Sequence, residues 1–182
     1  MVEKPEVREG EALILCVQEV WLSIGLRWSG IRRELEALPL PPGALAGAQA
    51  PYELMLAAMG LQIHSLEDLL PVDQAGRVRD LLLAHLASEQ GRGAVSLIES
   101  YEAAWRDALA RRQAASLGPA LLIARRLGYA TPSERHPDFA TDPVLQGLSQ
   151  VLEHYGDPDW WRRLLMTARL VPDEKAPDRF QA

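Results

Sequence analysis

Residues 78–86, VRDLLLAHL, place an arginine and a histidine six positions apart inside an otherwise apolar run. An imidazole moves protons near neutral pH and a guanidinium stabilises a phosphate or an oxyanion, so Arg79 and His85 best combine side-chain type with spacing for catalysis. At about 100° per residue, Val78, Leu81, Leu82, His85 and Leu86 share one helix face, with His85 near its centre and Arg79 on its flank. The same pattern also describes a core helix. A neutral, hydrogen-bonded imidazole packs among leucines, whereas a charged one is costly there. On that reading His85 is structural and the chain carries no catalytic residues.

Arg79-Asp80, four further residues and His85 resemble the signature of HEPN-type ribonucleases, which are small all-α proteins. The resemblance covers those seven residues. It implies a homodimer in whose cleft the Arg and His of two subunits meet. The His would act as acid or base on an RNA 2′-hydroxyl, and the Arg would stabilise the phosphate, with no metal required. The charge balance points elsewhere: the net charge of −6 gives no general attraction to phosphate backbones or anionic lipid. Basic residues cluster only as the pairs Arg32-Arg33, Arg111-Arg112, Arg125-Arg126 and Arg162-Arg163. Neither nucleic acid nor membrane is therefore an expected partner.

The remaining chemistry-bearing residues are scattered. His64 adjoins an expected turn, His136 precedes Pro137 in a polar loop, and His154 sits near a helix end, where the macrodipole suits its charged form. His154 with Asp157 or Asp159 would need a distant third ligand to hold a metal, so no metal is predicted. Cys16, the single cysteine, excludes an intramolecular disulfide and reads as a small core residue rather than a nucleophile. No glycine-rich phosphate loop, nucleophile elbow, paired-carboxylate motif or HExxH is present, so no cofactor is predicted. In the run from Asp157 to Leu165, DPDWWRRLL, Trp161 aligns with Leu164, Leu165 and Ala168, while Trp160 points about 100° away. Two readings follow: an exposed Trp160 beside Arg163, a composition common at interface hot spots, or a Trp160 packed beneath a neighbouring loop.

The elements that must position these residues are helical. The 182 residues, 48% hydrophobic and 24% charged, suit one soluble domain with a substantial core. The N-terminus has no signal-peptide pattern, no segment reaches the ~20 apolar residues of a membrane span, and the cytoplasm is the expected compartment. Leu13, Val17, Val20, Ile24, Trp28, Ile31, Leu35 and Leu38 recur every three or four positions, predicting one long helix over 12–38. Leu15, Leu22 and Leu26 form an opposed stripe, which predicts burial on two sides for its first half. A strand over 12–17 is the competing reading. Residues 39–51, rich in proline and glycine, form a connection. Pro51 starts a helix that Gly60 stops, and Ser65 to Asp68 open a short turn ended by Pro71. Further helices are expected over 74–89, 94–115, from Pro119 to a stop at Gly128, 143–155 and 158–170. Thr131-Pro132, Asp142-Pro143 and Asp157-Pro158 carry helix-start chemistry.

The expected fold is thus all-α: a single helical domain over 1–170 with six to eight helices, a long central N-terminal helix, and a mobile polar tail over 171–182. The expected function is a non-enzymatic cytoplasmic protein-binding or regulatory module of the adaptor, chaperone or immunity-protein type, interacting through Trp160 and Arg163. A homodimer is also expected, because Ile31, Leu35 and Leu38 extend the stripe, and such a face needs a partner helix either from the same chain or from a second copy. The alternatives are the HEPN-like ribonuclease using Arg79 and His85, and a helix-lined pocket for an apolar ligand.

Overall fold

The computed structural model describes residues 4–132, 137–157 and 159–173. Among them the chain forms an all-α domain. Its helices are α1 (Glu9–Gly25), α2 (Trp28–Glu36), α3 (Gln49–Leu69), α4 (Val72–Gln90), α5 (Arg92–Ala110), α6 (Leu117–Arg126), α7 (Pro143–Tyr155) and α8 (Trp160–Thr167). A short parallel pair joins the ends of the fold, β1 (Glu6–Arg8) against β2 (Arg169–Val171), with Val7 opposite Leu170. The strand considered for 12–17 is helix α1.

At the centre stands α3, which packs against α1, α4, α5, α6, α7 and α8. Every residue over 56–63 is buried, as expected of a helix surrounded on all sides. Gly60 does not stop this helix. It is the point of closest approach to α5: a Cβ there would lie 2.8 Å from the Glu102 backbone nitrogen and 2.9 Å from Tyr101 Cβ. A glycine in mid-helix has two uses, a stop or a crossing, and only the neighbouring helix distinguishes them. Residues 65–68 continue the helix instead of opening a turn, and Leu66 is fully buried in the core.

The long N-terminal helix is present as α1, but the segment expected to run to residue 38 bends by 51° between α1 and α2. Ala12, Leu13, Cys16, Val17, Val20 and Ile24 face inward. Contrary to the expected burial on two sides, Leu15, Leu22 and Leu26 are 41%, 50% and 78% exposed. Both stripes are apolar, yet only the one centred on Cys16 and Val20 meets α3 and α4. Ile31 and Leu35 are buried within the same chain, and the Leu38 side chain lies over Gly147 of α7. The surface expected to pair with a second copy is therefore already covered.

The later boundaries follow local chemistry. Gly91 has a φ of 84° between α4 and α5, and Gly128 has a φ of 79° after α6, a left-handed conformation that glycine adopts without strain. The Asp142 carboxylate accepts from the Val144 and Leu145 backbone N–H groups at 2.9 and 3.0 Å, capping α7 as its sequence predicts. Asp157 does not cap α8. It occupies a left-handed conformation with φ 49°, and its carboxylate receives both guanidinium nitrogens of Arg163. The last expected helix is shorter than predicted, ending at Thr167, where the chain turns into β2. The segment expected to be a mobile tail thus begins with an ordered strand residue. Residues 174–182 and the 133–136 part of the expected Thr131-Pro132 helix start lie outside the described residues.

Candidate functional site

The face of α4 turned to the core is made by Ala75, Val78, Leu82 and Leu86. This centres the buried arc between Val78 and Leu86 and leaves His85 half-buried on one flank, with Leu81 38% exposed beside it. Arg79 lies on the opposite flank, about 120° round the helix from His85, so one chain cannot bring the two together. His85 is neither at the centre of the core face nor beside Arg79. The placement followed from counting Leu81 as inward-facing, and neighbouring helices, not periodicity, set where the arc falls.

Arg79 has a defined structural role. Its Nη2 lies 3.1 Å from Glu102 Oε2 and 3.5 Å from Glu99 Oε1. Glu102, whose side chain is 4% exposed, also accepts from Arg106 at 2.8 Å, and Arg106 reaches Glu67 at 3.1 Å. Five charged groups thus tie α3, α4 and α5 together. The Glu102 to Arg106 spacing was legible as an i,i+4 pair. The partnership with Arg79 was not, because it depends on helix packing.

Two more carboxylates are buried, and each is matched by a cation. Glu53 accepts from the Tyr101 hydroxyl at 2.6 Å and from Arg126 Nε at 2.6 Å. Burial, reinforced by the hydrogen bond to Glu53, holds the Tyr101 hydroxyl well above its ordinary pKa. Glu9 accepts from Arg77 at 3.0 Å and Gln74 at 3.1 Å, and Gln74 also donates to the Leu170 carbonyl of β2. Such pairs satisfy charges that folding removes from water.

The other sequence candidates also take structural places. His64 lies inside α3, and among the described residues neither of its buried ring nitrogens has a hydrogen-bond partner. The His154 ring stacks edge-on against Tyr155 at 4.5 Å. Among the described residues no group of three or more His, Cys, Asp or Glu side chains is placed to hold a metal. Cys16 is fully buried, and that burial raises its thiol pKa well above the ordinary value, which disfavours the nucleophilic thiolate. Trp160 is 8% exposed and packs edge-to-face on Trp161 at 4.7 Å, so its ring is buried rather than displayed beside Arg163. Arg163 itself is exposed but engaged with Asp157. Between α5 and α6 lies a trough of about 350 Å³ floored by Ala104, Ala108 and Gly118, with Asp107, Arg111 and Arg125 also lining it. Leu121, Leu122 and Phe139 add to its mainly apolar, helix-lined wall, with the charged side chains beside them.

What the sequence reading missed is the outer surface of α1. Ile14, 43% exposed, joins Leu15, Leu22 and Leu26 on an arc of about 120°, interspersed with Glu11, Gln18 and Glu19. Ile14, Leu15 and Leu22 on α1, with Leu26 at its C-terminal cap, form the kind of apolar patch that marks an interaction surface more than scattered single residues do. In the sequence Leu15, Leu22 and Leu26 form the second stripe, whose apolar character predicts core rather than surface. Among the described residues no single helix is long and apolar enough to cross a membrane.

No protein-family model matches this chain, and neither a curated protein nor a solved structure gives a significant match.

Proposed function

We propose that this protein is a non-enzymatic, cytoplasmic binding module of the adaptor, chaperone or immunity-protein type whose docking surface is the outward face of α1. The observation that supports this reading is the exposed apolar arc of Ile14, Leu15, Leu22 and Leu26 on a helix whose other face is anchored in the core. A rigid, preformed helix face binds without a large ordering cost. The occupant it fits is an amphipathic helix of a second protein, with apolar residues against the leucines and basic residues beside Glu11 and Glu19. The ribonuclease alternative loses support because Arg79 is engaged by Glu102 and Glu99 and lies on the opposite flank of α4 from His85.

The test places a photo-crosslinking residue at Leu22 in the intact chain, expressed in its native host. The expected result is an adduct of higher mass that disappears when Leu15 and Leu26 are both changed to Ser, with no adduct from the same probe at Leu109. An adduct of twice the chain mass would identify a second copy as the occupant and overturn the heterologous reading. Absence of any intermolecular adduct would remove the docking surface altogether.

A further inference from the structure

The trough between α5 and α6 has the size of a small-ligand site, at about 350 Å³. It exists because the two helices touch closely at one point and carry little side-chain bulk beside it. A Cβ on Gly118 would collide with the Ala104 carbonyl, and Ala103 and Ala108 leave the neighbouring space unfilled. Leu121, Leu122 and the buried Phe139 close the apolar wall. The helices run antiparallel: Gly118 at the start of α6 lies against Ala104 and Ala108, whereas Arg126 at its end is linked through Glu53 to Tyr101. The cavity therefore extends along α5 from Ser100 to Arg111, about 16 Å at 1.5 Å per residue, with Arg125 at the first end.

The two ends differ in charge. Asp107 stands one helical turn before Arg111, so the second end carries both signs. Among the described residues that line the cavity, Asp107 is the one acid, and it lies away from the first end. There the Arg125 Nε donates to Thr131 Oγ1 at 3.2 Å, which holds the guanidinium beside the opening. A long apolar trough with a guanidinium at one end is complementary to an unbranched chain that ends in an anion, and the planar fork of arginine matches a carboxylate. We infer that this cavity binds a linear aliphatic monocarboxylate, with the carboxylate on Arg125 and the acyl chain along Ala104, Leu121, Leu122 and Phe139. The site uses no residue of α1 and stands apart from the proposed docking function.

The probe is decanoate, titrated below its micelle concentration into the full chain and followed by calorimetry and methyl NMR. The expected result is saturable binding that shifts the Leu121 and Leu122 methyl signals and leaves those of Leu15 and Leu22 in place. Affinity should rise about two- to fourfold for each methylene added from hexanoate through octanoate to decanoate. Arg125→Gln should weaken decanoate about fivefold and leave decanol unchanged, since only the carboxylate uses the guanidinium. Ala103→Leu fills the cavity from an exposed position and should abolish binding of both, whereas Leu15→Ser with Leu22→Ser should affect neither. Decanoate that shifts the α1 methyl signals instead, or that binds Ala103→Leu unchanged, would place the chain elsewhere and overturn the inference. Equal effects of Arg125→Gln on decanoate and decanol would overturn the assignment of a carboxylate, and absence of saturable binding would remove the site.

Discussion

Glu102 illustrates how one buried charge depends on two neighbours. Arg79 is 31% and Arg106 is 49% exposed, so either can be rehydrated when its pairing is lost, whereas the carboxylate they share cannot. Arg79→Ala should cost about 1 kcal/mol, a typical hydrogen bond to a charged group discounted for solvent screening. Adding Arg106→Ala should strand Glu102 and bring the total to roughly 3–5 kcal/mol, as for other broken buried pairs. A double-mutant cycle by urea unfolding checks this, and simple additivity of two small effects would contradict it. Tyr101 supplies the pH dependence. Its folded pKa lies above the ordinary 10.0 found in the unfolded chain, so as pH rises past that value the unfolded state releases protons that the folded state keeps. Stability should be intact below pH 10 and decline above it, with Tyr101→Phe giving a shallower decline between pH 10 and 11. Equal slopes for the two proteins in that window would show that Tyr101 does not contribute. Of these arrangements the sequence revealed only the Glu102–Arg106 spacing, because Glu53 and Arg126 are 73 residues apart and meet only through packing.

At the level of elements, two helical glycines should respond to the same substitution with opposite signs. Gly60 lies against the α5 backbone, and Gly60→Ala should destabilise the protein by about 1–3 kcal/mol through overpacking. Gly30 in α2 has open space around it, and Gly30→Ala should stabilise by about 0.4–1 kcal/mol by restricting the unfolded chain. Thermal unfolding of the two variants side by side tests whether crossing or propensity controls each site. Glycine has a low helix propensity wherever it stands, so sequence cannot separate the two, because the difference lies in what stands opposite. By contrast, the Asp142-Pro143 start of α7 was legible, since an N-cap is satisfied by backbone groups two and three residues ahead. Asp142→Ala should accordingly cost about 1 kcal/mol. The neighbouring Asp157-Pro158 has the same chemistry but a different outcome, because the Asp157 carboxylate is taken by Arg163.

For the molecule as a whole, the two stripes of α1 divide the labour between folding and interaction. Ile24 is 1% exposed, and Ile24→Ala should cost about 2–5 kcal/mol. Leu22, two residues away and 50% exposed, should tolerate Ser within about 0.5 kcal/mol. If Leu22→Ser were as damaging as Ile24→Ala, the outward face would be core and the docking proposal would fall. The sequence by itself determined that this chain folds from helices and where prolines and a cap break it into segments. These properties follow from periodicity and from hydrogen bonds made within a few residues. Only the tertiary structure decided that α3 is the hub, that Gly60 is a crossing rather than a stop, that Arg79 pairs with Glu102, and which of the two stripes of α1 meets the core. Hydrophobic burial has no direction of its own: an apolar stripe specifies that it gains by being covered, and only the placement of the other helices determines which stripe is covered and which remains at the surface.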